Sequence, residues 1–423
     1  MDWRISGLIA GLGLALAGCS DDAPVTEEGG TGTGSGTGES GATPGDTGSP
    51  SVPDATNDAA TGEGGETGTT GGEDSLDESG TGPEPPPSGD PLPEGPVGEW
   101  TWVDVEGSMC RDGSMSGLSV RYGTSPNVVI YMSGGNACFN ITSCSVTGSD
   151  VANQPNGGNV GVLNMDDPAN PVADWTHIYF PYCTGDVFAG SNPDSEHPFV
   201  PGGPQQFIGY DNVTLFLERI VPTFPEVEKV LVTGSSAGGF GAAYNFDQTA
   251  QAFGPDVDMI LIDDAGPPMA DEYLSPCLQQ HWRDVWGLDQ TLPADCEECF
   301  GPDGGGISNY VTYLDQKYPD ATLGLLTSMQ DWYIRLFWGY GNDDCSTLNA
   351  LIPPSYSGAQ YQLGVEDLRD NWAVGDQWGT FFVAGDEHTF LDKPIYFTQT
   401  VGDIPVVDWV AAMVDGEPSH HAP

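Results

Sequence analysis

Residues 230–245 read VLVTGSSAGGFGAAYN: an apolar β-branched run, then GSSAG at 234–238, then small residues that suit a helix. A G-x-S-x-G match means little in a glycine-rich chain, but between a strand and a helix it describes a sharp elbow that holds a serine in a strained conformation. Glycines two places on either side leave room for the tight strand-to-helix approach. Ser236 is the candidate nucleophile, at a helix N-terminus whose dipole favours developing negative charge. The stretch thus supplies the strand–elbow–helix context that the motif needs before it carries meaning.

The N-terminus is of a different kind. A short charged start at residues 1–4 precedes an apolar run over 5–17 and then Leu-Ala-Gly-Cys at 16–19. An apolar stretch too short to span a bilayer, followed by small residues and a cysteine, predicts a lipoprotein signal peptide over 1–18 with acylation at Cys19. Residues 19–98 follow as a Gly/Thr/Pro-rich acidic segment with no aromatic residue between Trp3 and Trp100 and no Lys or Arg between Arg4 and Arg111. Too little apolar surface is present to offset the entropy of ordering, so a disordered tether is expected there. The reading is of a protein held at the cell envelope by lipid, on the outer membrane or cell surface, or else secreted, with the membrane touched only through Cys19.

Residues 99–415 are long enough for one large α/β domain, and 416–423 read as a disordered tail. Of 62 acidic and 10 basic residues, 19 and one lie in residues 1–99, which leaves 43 against nine and a net charge of −34 beyond them. Such a surface repels phosphate backbones and anionic headgroups, which excludes nucleic acid as a partner and favours a neutral or esterified substrate. Besides Cys19 there are eight cysteines, an even number that suits disulfides in an exported protein. Cys296-Glu-Glu-Cys299 lacks the second ligand pair that a zinc site would need, so no metal is expected.

Within the domain, residues 127–132 (NVVIYM) form an apolar run fit for a buried parallel strand, and they discharge into SGGNACF at 133–139. Glycines directly after such a strand let backbone N–H groups face a cleft, so Gly135, Asn136 and Ala237 are candidate oxyanion donors. Residues 185–199 are too polar and too rich in breakers for a core element and read as a cleft-lining loop. A helix is expected over 211–220, stopped by Pro222 and Pro225.

Two acids obey the chain order nucleophile, acid, base: Asp263 or Asp264 after the strand at 257–262, and Asp331 after the apolar run at 322–327. Of six histidines, His388 follows the strand at 380–383 and sits where a general base can reach a serine at the head of the sheet. Trp332, Tyr333, Trp338 and Tyr340 follow Asp331 and could stack on sugar rings, line an acyl pocket or belong to the core.

SGGNACFN at 133–140, YFPYCTGDVFAG at 179–190, FIGYD at 207–211 and GSSAGG at 234–239 follow one another in an order and spacing that resembles the pectin acetylesterase and Notum carboxylesterase family. The likeness runs from Cys110 to His388 and is strongest up to Ala242. It implies an α/β-hydrolase-like fold, a mostly parallel central sheet flanked by helices, with a catalytic triad of Ser236, His388 and Asp331 and no cofactor. It further implies disulfides Cys138–Cys144 and Cys110–Cys183. Where that family commonly carries an aromatic residue after the Gly-Gly pair, this chain has Asn136, which leaves the pocket shape open. The function implied is a monomeric serine carboxylesterase that removes acetyl groups from an acetylated polysaccharide such as pectin. A long-chain or lipid carboxylesterase of the same fold and a non-catalytic glycan-binding surface lipoprotein are the alternatives.

Overall fold

The computed structural model describes residues 89–152, 154, 156–196 and 203–423. The expected signal peptide, Cys19 and the tether as far as residue 88 lie outside the described residues. Nine strands make one sheet: β1 (Trp100–Met109), β2 (Met115–Arg121), β3 (Val128–Met132), β4 (Thr176–Phe180), β5 (Lys229–Ser235), β6 (Asp258–Asp264), β7 (Thr322–Ser328), β8 (Trp378–Val383) and β9 (His420–His421). Their order is β1-β2-β4-β3-β5-β6-β7-β8-β9. β2 runs antiparallel to both its neighbours, and all other pairings are parallel.

Burial on both faces explains the continuous apolar strands. Val128, Ile130 and Met132 of β3, with Val230 and Val232 of β5, point into one core; Val129, Tyr131 and Leu231 point into the other. This two-sided burial is what makes parallel strands read as unbroken β-branched runs rather than alternating ones. The first core is covered by α2 (Gly209–Thr223), α3 (Ala237–Tyr244), α4 (Phe246–Phe253), α5 (Pro276–Trp286), α6 (Asn309–Lys317), α7 (Trp332–Trp338) and α8 (Gly358–Asp367). The second is covered by α9 (Val406–Val414) and by segments around residues 162–175 and 390–401. A short α1 (Ile141–Val146) follows the loop after β3 and is closed by a capping box between Asn140 and Ser143.

Three expectations about boundaries need correction. Residues 420–421 are not disordered tail: His420 and His421 pair with Thr380 and Phe381 of β8 and extend the sheet. The expected tether is ordered over its last ten residues. Leu92 is buried, its N–H donates to Thr223 Oγ1 at 2.7 Å, and Arg219 donates to the carbonyls of Asp90 and Pro91. Proline and leucine there have a helix to dock on, which composition alone could not reveal. Pro222 does not stop α2, which runs to Thr223, because a proline in the final turn loses only one ladder bond.

Candidate active site

Ser236 occupies the turn between β5 and α3 with φ 60° and ψ −123°, a left-handed conformation rare for a residue with a side chain. Its N–H donates to the Asp264 carbonyl at 2.7 Å and its own carbonyl accepts from Gly239 N–H at 2.9 Å, so backbone bonds on both sides fix the elbow. A Cβ at position 238 would lie 1.9 Å from the Met132 carbonyl oxygen, and one at 234 would lie 2.3 Å from that of Gly238. Both glycines are thus required by the closeness of β3, β5 and α3, as the motif predicts.

The two other triad candidates meet. Asp331 lies just beyond the end of β7 and caps α7: its Oδ1 accepts from the N–H groups of Tyr333 at 2.9 Å and Ile334 at 3.0 Å. Its Oδ2 accepts from His388 Nδ1 at 2.8 Å, and the carboxylate is fully buried. Helix capping therefore turns one oxygen toward the backbone and leaves the other for the imidazole. Such a bond fixes the tautomer with Nδ1 protonated and leaves Nε2 as the acceptor. Ser236 and His388 line the same cavity, and among the described residues Ser236 Oγ has no hydrogen-bond partner.

The rival acid has other work. Asp264, at the end of β6, accepts on Oδ2 from Ser235 Oγ at 2.9 Å and from the N–H groups of Phe390 and Leu391 at 2.8 Å each. Tyr131 OH donates in turn to Ser235 Oγ at 2.9 Å. This carboxyl ties the loop carrying His388 to the strand carrying Ser236 and does not touch the imidazole. Its burial, reinforced by the negative charge of Asp392, raises its pKa to about 7. Burial likewise pushes Asp263 well above the usual carboxylate range, while its Oδ1 accepts from Gly266 N–H at 2.7 Å in a structural turn.

The loop after β3 supplies two of the three oxyanion candidates, and the start of α3 supplies the third, Ala237. Gly135 packs against the Tyr182 ring so closely that a Cβ would lie 2.7 Å from Cδ1. Asn136 has φ 69°, a region that asparagine tolerates better than bulky residues do. Among the described residues the N–H groups of Gly135, Asn136 and Ala237 have no partner, and each borders a cavity that Ser236 also lines. Disulfides Cys138–Cys144 and Cys110–Cys183 brace this region as the resemblance implied; Cys277–Cys345 and Cys296–Cys299 use the other four cysteines among the described residues.

Two cavities meet at the elbow, and they share Asn136 and Ser236. One, of about 350 Å³, is the more polar of the two and is lined by His388, Tyr131, Ser133, Tyr179 and Asp392. The other, of about 100 Å³, runs between α3, α5 and α7 and is walled by Phe240, Trp282, Trp286, Tyr310, Phe337 and Trp338. Trp338 and Tyr340 are core residues, Trp332 is 48% exposed, and Tyr333 lines the polar cavity. The sequence held the signal for the apolar cavity in its tryptophan-rich segment at 282–286, but not the fact that α5 and α7 converge on Ser236. Of the 185–199 loop, Val187 and Ala189 line that cavity, and 197–199 lie outside the described residues.

The pectinacetylesterase family profile matches residues 100–303. Notum2 of Xenopus laevis, a palmitoleoyl-protein carboxylesterase, is 26% identical over 153 residues, which is 33% of this chain and 30% of that protein. Pectin acetylesterase 5 of Arabidopsis thaliana is 25% identical over 205 residues, 45% of this chain and 47% of that protein. The chain therefore spans less than half the length of these curated relatives. The solved structure of the Wnt deacylase Notum from Drosophila superposes with a TM-score of 0.57 at 18% identity, covering 74% of this chain and 92% of that one. The fold is that of the Notum-like α/β hydrolases, and over residues 100–303, just under half of its length, the chain is similar to the pectin acetylesterase and Notum carboxylesterase family.

Proposed function

We propose that this protein is a serine carboxylesterase in which Ser236, His388 and Asp331 act as nucleophile, general base and orienting acid. Ser236 Oγ attacks the ester carbonyl as His388 Nε2 takes its proton, and the N–H groups of Gly135, Asn136 and Ala237 hold the oxyanion. Collapse of the tetrahedral intermediate breaks the bond to the alcohol, which leaves with the proton from His388. Water then attacks the acyl-enzyme by the same path in reverse and releases the carboxylic acid. No metal or organic cofactor enters these steps.

The observation that carries the reading is the pair of unlike cavities on either side of Ser236. The alcohol must lie on the His388 side to receive its proton, so it occupies the polar cavity, and the acyl chain occupies the apolar one. Each buried methylene is worth about 0.8 kcal/mol, roughly fourfold in affinity. An acetyl group fills only part of a cavity lined by seven aromatic side chains. The geometry therefore favours acyl chains longer than acetyl. Polar groups in the other cavity suit a hydroxyl-rich alcohol, which keeps acetyl removal from a polysaccharide as the second reading.

The test is kcat/KM for acetyl, butyryl and octanoyl esters of one leaving group, with acetate release from acetylated pectin and xylan measured alongside. A rise of about tenfold or more from acetyl to octanoyl supports the first reading. A maximum at acetyl with acetate released from polymer replaces it with the second. Ser236→Ala should lower kcat by about 10⁴-fold or more with little change in Tm; loss on Ser235→Ala alone would shift the elbow by one residue. A glycan-binding protein without catalysis would turn over none of these esters. The Leu-Ala-Gly-Cys segment and acidic tether support an extracytoplasmic, lipid-anchored placement, and Cys19→Ser should then release the protein from the membrane fraction.

A further inference from the structure

Tyr333 touches three parts of the site at once. Its N–H helps to fix Asp331 Oδ1 at 2.9 Å. Its ring stacks on His388 with centroids 4.7 Å apart and planes at 24°. Its hydroxyl donates to Asn136 Oδ1, from a residue 197 positions away, while Asn136 Nδ2 donates to the Val146 carbonyl at 3.1 Å. Asn136 is thereby pinned from two sides in its left-handed conformation. It also stands on the boundary between the two cavities, whereas Tyr333 lines only the polar one.

We infer that Tyr333 is a positioning residue which, through its hydroxyl on Asn136 and its ring on His388, sets the oxyanion loop and the base in register. The inference rests on the esterase reading above. An oxyanion loop held by backbone bonds alone could shift its donors by fractions of an ångström, which matters more to the transition state than to the ground state. The loss on removing the Tyr333 hydroxyl should therefore fall on kcat.

The experiment is a cycle of Tyr333→Phe, Asn136→Gly and the double variant in the full chain, with Tm, kcat and KM measured on one chromogenic ester. Tyr333→Phe keeps the ring over His388 and removes only the hydroxyl. Asn136→Gly removes the acceptor without adding strain at positive φ. Tyr333→Phe should lower kcat about five- to tenfold with KM within about twofold and Tm unchanged, and the double variant should be no slower than Asn136→Gly. Tyr333→Ala, which uncovers the imidazole, should cost more than Tyr333→Phe. Additive losses in the cycle, an unchanged kcat in Tyr333→Phe, or a loss that tracks a fall in Tm would overturn the inference. Should Asn136→Gly fail to fold, kcat of Tyr333→Phe decides alone. Wild-type protein that turns over no ester overturns the esterase reading, and the inference with it.

Discussion

Asp264 and Asp331 sit at or just past the ends of adjacent parallel strands, both fully buried, and both reach the segment that carries His388. Asp331 offers one oxygen to two N–H groups at the start of α7 and the other to His388 Nδ1. Asp264 gathers three donors on a single oxygen and leaves the other without a partner among the described residues. The first arrangement orients an imidazole. The second fastens a loop. Two carboxylates with the same topological address are thus separated by what their neighbours donate.

That contrast can be attacked directly. The largest effect belongs to Asp331→Asn, which should keep the fold but lower kcat by about 10³–10⁴-fold, because an amide can hold the imidazole in the wrong tautomer. Asp264→Asn should cost only about tenfold, since an amide oxygen can still accept from Phe390 and Leu391. The reverse order would move the triad acid one strand back. Ser235→Ala, which removes one of the three donors, should cost a few-fold at most.

The smallest effect is in stability against pH. The Asp264 carboxyl is raised from 3.8 to about 7 in the folded protein. Between those values the folded state holds a proton that the unfolded state has released, so this residue makes stability fall as pH rises from about 4 to about 7. Asp186, raised to about 6 by burial, acts in the same sense. Asp264→Asn should therefore show a shallower fall in Tm across that window than wild type. An equal slope in both proteins would mean that Asp264 titrates at its ordinary value.

Much of this site was written locally. The GSSAG elbow, the glycines after β3 and the strands on either side are short-range features, and each constrains only its neighbours in sequence. The order of Ser236, Asp331 and His388 followed from the requirement that all three lie at the same edge of a parallel sheet. What could not be read were contacts with no local signature. The bond between Tyr333 and Asn136, the docking of Leu92 on α2 and the convergence of α5 and α7 on the elbow all depend on how distant segments pack. Asp264 illustrates the limit: the chain order marked it as a candidate acid, and only its donors reveal its role.

The pairing of β9 with β8 has a practical side. β8 leads into the loop that carries His388, and its outer edge is covered by the last residues of the chain, two of which pair with it. A recombinant protein trimmed at residue 415 would leave the backbone groups along that edge open to another molecule, inviting edge-to-edge association next to the His388 loop.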